Sequence, residues 1–285
     1  MTDKTNPYGV ADTGHVWDDN LRELTNPPPK WWTIGLHASW IFVLVYGILY
    51  PTWPLIHGHT KGILGWTSIG EYKEDLSAIQ KVRAKYENEL KQTPLNAILA
   101  NHDLTQYAVR SAKVLFGDNC AACHGAGGQG NPNFPVLADD DWLYGGSLQT
   151  IDQTITDGRH GMMPSHVNSL SQQEIDDLAK YVKAVSQGKT YEPGQKLFMG
   201  KGGCFACHGP NAKGNHALGS ANLTDRIWRF GNGSLADIKY TITHGVNDPN
   251  DPKSRNAVMP TWKDRLTETE IKKLAVYVHQ LGGGQ

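Results

Sequence analysis

Cysteine is scarce in this chain, with four among 285 residues, and methionine is hardly commoner, with five. Net charge is also nearly absent, at −1, so no global electrostatic argument points to nucleic acid. Hydrophobic residues make up an ordinary 39%, which excludes a polytopic membrane protein. The stretch 31–50 contains no Lys, Arg, Asp or Glu. No small-residue cleavage site lies near it, and it begins behind a polar, proline-rich segment, so it does not read as a cleaved signal peptide. Glycine and proline, by contrast, are plentiful at 31 and 15, which predicts much loop.

All four cysteines stand in one pattern written twice. Cys120 to Gly125 reads CAACHG, and Cys204 to Gly209 reads CFACHG, 84 residues further on. Zinc needs four ligands brought together, yet each pair is far from the other and has its own adjacent histidine. A thioredoxin-like pair belongs beside a βαβ pattern, and none is present. The remaining chemistry is covalent haem attachment. Each thiol of C-x-x-C-H forms a thioether with a haem vinyl group, and the spacing sets the histidine under the iron. Two copies predict two covalently bound haem c, held by Cys120, Cys123 and His124 and by Cys204, Cys207 and His208. No cysteine is then left for a structural disulfide.

The uncharged stretch WWTIGLHASWIFVLVYGILY, at 31–50, would span about 30 Å as a helix, the thickness of a bilayer core. Trp31 and Trp32 at one end, and Tyr46, Tyr50 and Trp53 at the other, match interfacial aromatic belts. Pro51 and Pro54 end it. Flanking charges do not set its orientation. Haem does, because bacteria attach haem c outside the cytoplasmic membrane. Residues 1–30 are expected in the cytoplasm, 31–57 as the anchor, and the bulk in the periplasm. His37, inside the helix, reads as a tolerated polar group rather than a haem b or metal ligand.

The remaining chain repeats. LSQQEIDDLAKYV from Leu170 matches LTETEIKKLAVYV from Leu266 at an offset of 96, and GSLQTIDQTIT from Gly146 matches GSLADIKYTIT from Gly233 at 87. This divides the chain into a linker at 58–105 and two cytochrome-sized units at 106–188 and 189–285. Each unit predicts a helix entering C-x-x-C-H, a middle helix after Gly-Ser-Leu, and a last helix. Ser171 with Glu174, and Thr267 with Glu270, predict capping boxes for the last helices. Residues 71–90 predict a charged helix with Leu76, Ile79 and Val82 on one side, either a solvated spacer or a docking helix.

A haem that only carries electrons needs a distal ligand. Met163 and Met259 each precede proline and are 96 residues apart, the same offset as the last helices. Met162 lacks the Met-Pro step, and Met199 lies too close to Cys204. Met163 and Met259 are therefore the expected thioether ligands, with His160, His166, His216 and His244 as competitors. The soft thioether favours ferrous iron, and a filled sixth site makes a relay with no catalytic residue.

The chain resembles the membrane-anchored dihaem subunit, subunit III, of cbb3-type cytochrome c oxidases. The likeness runs over nearly the whole length: GHVWDDNLRELTNPPPKWW before the membrane helix, ILYPTWPLI after it, DDDWLYGG, ANLTDRIWRFG and the two haem motifs. It implies a mainly α fold, with one N-terminal transmembrane helix followed by two tandem class I cytochrome c domains. It matches Cys120, Cys123, His124 and Met163 to one haem, and Cys204, Cys207, His208 and Met259 to the other. It also implies that Pro135, eleven residues after His124, orients that histidine through its carbonyl. No proline occurs between Asn211 and Phe230, so His208 is expected to use another acceptor. The partners implied are a catalytic haem-copper oxidase subunit and a monohaem cytochrome c subunit in the bacterial inner membrane. A soluble cytochrome c or a cytochrome bc complex would be the donor. A stand-alone membrane-tethered dihaem carrier is the alternative, and a dihaem peroxidase is disfavoured by the two Met-Pro steps.

Charge is divided unequally. Residues 106–188 hold five Lys and Arg against nine Asp and Glu, a balance of −4, while 189–285 hold thirteen against eight, a balance of +5. If a basic donor docks by charge, the first unit, with Asp139, Asp140 and Asp141, is the expected face.

Overall fold

The structure is a computed structural model that describes residues 11–18 and 21–284. Residues 1–10 and 19–20 of the segment expected in the cytoplasm lie outside the described residues. The chain forms two compact units, 1–82 and 83–285.

In the first unit, β1 (Asp12–Trp17) and β2 (Leu21–Leu24) pair antiparallel. Helix α1 (Lys30–Leu49) follows, twenty residues long, with apolar side chains exposed on every face. A helix apolar all round and not covered by protein is a membrane span, and it anchors the chain. Pro29 is extended at its start. At its other end the chain folds back through β3 (Pro54–Leu55) and β4 (Gly58–His59). The Ile63 and Leu64 amides then donate to the Ile48 and Leu49 carbonyls, at 2.9 and 3.1 Å, satisfying groups a helix end leaves free. His37 Nδ1 bonds the Thr33 carbonyl of its own helix at 2.7 Å, so its polar atom is satisfied locally.

Helix α2 (Ser68–Gln92) is longer than its sequence pattern suggests. The expected stripe of Leu76, Ile79 and Val82 is exposed, whereas Tyr86 and Leu90 pack into the core of the second unit. The second unit continues with α3 (Leu95–Ile98), α4 (His102–Asn119), the one-turn α5 (Ala121–His124), α6 (Leu148–Asp157) and α7 (Gln172–Val185). It ends with α8 (Glu192–Met199), the one-turn α9 (Phe205–His208), α10 (Leu235–His244) and α11 (Glu268–His279). Both capping boxes are present, on α7 and α11.

The two hydrophobic cores do not follow the two sequence repeats. The first core joins Leu104, Ala108 and Phe116 of α4 and Ile151 of α6 to Leu274 and Val278 of α11. The second joins Phe198 of α8 and Ile238 of α10 to Ile175, Leu178 and Val182 of α7. Each repeat has given its last helix to the other. The aromatic pairs report the same exchange: Phe116 lies 5.1 Å from Tyr277, and Phe198 lies 5.2 Å from Tyr181. The expected boundary at 188/189 therefore separates repeats but not cores. The cause is physical equivalence. The two last helices carry Ile, Leu, Ala, Tyr and Val in one register, so either fills either core.

Candidate haem sites

Each haem motif closes as a single helical turn. The His124 amide donates to the Cys120 carbonyl at 2.9 Å, and the His208 amide to the Cys204 carbonyl at 2.9 Å. That turn sets both sulfurs and the imidazole on one side. Gly125 and Gly209 then leave it at φ +76° and +75°, in the left-handed region that glycine enters without a Cβ penalty. The loops beyond are tied back by Gly130 N to His124 O and Gly214 N to His208 O, both 2.8 Å.

The two histidines are oriented alike. His124 Nδ1 lies 3.1 Å from the Pro135 carbonyl, and His208 Nδ1 lies 2.9 Å from the Ala221 carbonyl. A carbonyl only accepts, so Nδ1 carries the proton and Nε2 keeps its lone pair for a metal. Pro135 thus occupies the place expected of it. Ala221 is the acceptor that sequence reasoning did not identify, since any residue's carbonyl serves. Burial lowers the pKa of both rings, and at His124 the Arg229 charge lowers it further, so both are neutral, as ligation requires.

Burial pushes Cys120 and Cys204 up to about 11, opposite to the depressed values of reactive cysteines. Among the described residues no group of three or more His, Cys, Asp or Glu is placed to hold a bare metal ion. A donor set of two thiols and one neutral imidazole per turn fits a covalently attached haem.

The methionines are placed by the exchange. After α6, the Arg159 amide donates to the Met259 carbonyl, and the Met259 amide donates to Arg159, both at 2.9 Å. After α10, Met163 and Val246 make the same reciprocal pair at 2.9 Å. Gly158 and Gly245 permit these crossings, because a Cβ there would meet the Met259 and Met163 carbonyls at 2.4 and 2.3 Å. Met259 consequently packs on the core that holds Cys120, and Met163 on the core that holds Cys204. Each methionine thus packs on the core of the other repeat's haem motif, and not on the core of the motif it was expected to serve. Sequence register aligns the methionines with each other, not with the core they enter. Met162 is 62% exposed, while Met163 is partly buried.

The competing histidines are engaged elsewhere or face solvent. His166 Nδ1 bonds Ser169 at 3.1 Å, and His244 Nδ1 bonds Asp251 at 2.9 Å. His160 and His216 are exposed. Asp248 and Asp251 belong to a loop that only the second repeat carries. The Ser165 amide donates to Asp248 Oδ2 at 2.6 Å, and Ser165 Oγ lies 2.9 Å from Asp251 Oδ2. This loop clamps the Met163-Pro164-Ser165 segment of the first repeat to the second core.

Comparison with known proteins agrees with these features. Residues 9–57 match the family described as the N-terminal domain of cytochrome oxidase-cbb3, FixP. Residues 108–182 match cytochrome c oxidase, cbb3-type, subunit III, and residues 191–282 match cytochrome c. The cbb3-type cytochrome c oxidase subunit FixP of Azorhizobium caulinodans is 44% identical over 97% of this chain and 94% of its own. That of Bradyrhizobium sp. strain ORS 278 is 41% identical over 97% and 96%. The subunit CcoP of Cereibacter sphaeroides is 37% identical over 99% and 98%. Identity at that level over whole chains, joined to two haem-attachment turns behind one membrane helix, means that this chain belongs to the FixP/CcoP family of cbb3-type cytochrome c oxidase subunits and carries two covalently bound haem c.

Proposed function

We propose that the chain relays electrons from a soluble cytochrome c or a cytochrome bc complex, through its two haems, to a haem-copper catalytic subunit that reduces oxygen. A monohaem cytochrome c subunit completes the assembly. The observation that carries this reading is the placement of one methionine on each core that holds a haem-attachment turn, Met259 with Cys120 and Met163 with Cys204. Cys120, Cys123 and His124 would hold the first haem, with Met259 to supply its thioether, and Cys204, Cys207 and His208 would hold the second, with Met163. The first haem unit therefore joins residues 102–157 to 259–284, and the second occupies 163–245.

Each haem supplies one-electron chemistry when bound. The protein orients the imidazoles through Pro135 and Ala221, and it presents two thioethers, which favour ferrous iron. A thioether and an imidazole at each haem would suit electron transfer and would leave no open position for a peroxide substrate. Residues 31–57 anchor the chain in the bacterial inner membrane, with 1–30 cytoplasmic and both haem units periplasmic. Haem attachment outside the cytoplasmic membrane supports that orientation.

The test is purification from membranes. Stoichiometric haem b and copper accompanying two haem c on this polypeptide support the oxidase. A dihaem chain that purifies without them selects the stand-alone carrier. Protease added to intact spheroplasts should remove the haem units, and their protection would reverse the orientation.

A further inference from the structure

Beyond Pro51 the chain turns back along the helix it has just left. Trp53 lies over Gly47, the one buried residue of α1, and a Cβ on Gly47 would meet its indole Nε1 at 2.6 Å. Ten residues later the Ile63 and Leu64 amides reach the Ile48 and Leu49 carbonyls. Between these two contacts β3 and β4 close on Ile56 and His57, since Leu55 pairs with Gly58. Thr60 ties the base. Its amide donates to the Trp53 carbonyl at 2.9 Å, and its hydroxyl accepts from the Trp53 amide at 3.1 Å. The fold-back therefore stands beside the last turn of the membrane span, at the depth of residues 47–49.

Its side chains suit that depth. Leu55, Ile56, Ile63 and Leu64 are 60, 94, 77 and 57% exposed. A cluster of open aliphatic side chains is costly in water. Aromatic rings bound it: Tyr46 stacks on Tyr50 at 4.8 Å, and Tyr50 meets Trp66 edge-on at 5.9 Å. Such rings settle at the headgroup level. Charge is consistent with a lipid surface. No Asp or Glu occurs at 24–70, and Lys61 is the only Lys or Arg at 51–70. Acid returns only in α2, with Glu71, Glu74 and Asp75.

We propose that the fold-back at 53–64 is a second membrane contact, with Leu55, Ile56, Ile63 and Leu64 immersed in the headgroup–acyl boundary of the leaflet at the C-terminal end of α1. Continuity with the span selects lipid as the occupant, because the backbone bonds to Ile48 and Leu49 hold these side chains beside a helix whose own Ile48 is open to lipid. Backbone chemistry sets the depth. The hairpin has two residue pairs, so much of its N–H and C=O complement needs water or headgroups, and the hydrocarbon core would leave it unsatisfied. Lys61 is exposed and meets lipid phosphates there. A wedge bonded to one side of the helix end limits its sliding and biases its tilt.

The test uses the full chain in its complex, reconstituted in vesicles of phosphatidylcholine and phosphatidylglycerol. Ile56→Cys, Leu64→Cys and Asp75→Cys each receive a thiol-linked, environment-sensitive fluorophore, and the unsubstituted protein treated alike supplies the background. At positions 56 and 64 the emission should shift to the blue and be lost to lipid bearing a nitroxide near its headgroup, while a water-soluble nitroxide leaves it unchanged. At position 75 the water-soluble nitroxide should quench. Quenching at 56 and 64 by the water-soluble nitroxide would overturn the proposal. Protection from both quenchers would mean that a protein partner covers the fold-back, which is equally fatal. Leu64→Cys decides the matter alone if Ile56→Cys disturbs the turn.

Discussion

The Met163 amide donates to the Val246 carbonyl, and the Val246 amide donates back to Met163, each at 2.9 Å. This short antiparallel bridge carries a methionine of the first repeat onto the middle-helix exit of the second. With its counterpart between Arg159 and Met259, it makes the two haem sites depend on each other.

The first prediction follows from that exchange. In a background lacking the second haem through Cys204→Ala and Cys207→Ala, Met259→Leu should abolish the remaining thioether–iron charge-transfer band, and Met163→Leu should leave it. The reverse should hold when Cys120 and Cys123 are replaced. Optical spectra of the oxidised protein decide the matter. Loss of the first-haem band in Met163→Leu would restore pairing within each repeat.

Asp251 tests the clamp on Met163. Its carboxyl is held below the usual carboxylate range, chiefly by His244, then by the Lys253 amide and Ser165. A depressed carboxylate contributes stability that is complete above the unfolded pKa of about 4 and is lost as pH falls through the lower folded value. Thermal unfolding should show a falling Tm only below about pH 4 for this contribution. Asp251→Asn should be less stable at neutral pH, with a shallower acid limb. A wild-type Tm in that variant would mean the loop holds Met163 without its carboxylate.

Lys273 and Glu87 test how α2 docks. Lys273 of α11 is only 7% exposed and bonds Glu87 of α2 at 2.9 Å, while Tyr107 of α4 donates to the same carboxylate at 2.6 Å. Glu87→Met leaves an ammonium buried without its anion and should cost about 1–3 kcal/mol. Lys273→Met should cost less, because Glu87 keeps contact with water and with Tyr107. The double change should recover much of the loss, since apolar pairs replace buried ion pairs well. Chemical denaturation of the four proteins gives the cycle. Equal single costs would mean that burial does not set the energetics.

The acidic face should be pH-gated. Asp141 is pushed up to about 6 by burial and then by Asp225, Asp139 and Asp140. Below that pH it is neutral, and above it the patch gains a negative charge. At low ionic strength, reduction by a basic cytochrome c should therefore accelerate between about pH 5 and 7. Asp141→Asn should remove the step, and neutralising Asp139 and Asp140 as well should flatten the salt dependence. Because a raised carboxylate pKa costs stability once the group ionises, Asp141→Asn should also raise Tm at neutral pH. A stopped-flow rate that keeps its salt slope in the triple variant would move the entry point away from these aspartates.

Much of this protein was legible along the chain because the signals act over a few residues. A capping box needs only Ser171 and Glu174, a haem turn only Cys120 to His124, and a membrane span only twenty adjacent apolar residues. Even the Pro135 carbonyl lies eleven residues from the ring it orients. The docking of α2 was not legible, because Tyr86 and Leu90 meet α4 and α11 from distant sequence while the more regular stripe of Leu76, Ile79 and Val82 stays exposed. Nor was Ala221, whose carbonyl carries no side-chain signature. The core that each methionine enters lay furthest out of reach. Helices α7 and α11 present the same apolar residues at the same register, so hydrophobic pattern cannot choose between the cores. The choice was made by the bridges at Arg159–Met259 and Met163–Val246, by the glycines that let the strands cross, and by a clamp loop found in one repeat alone.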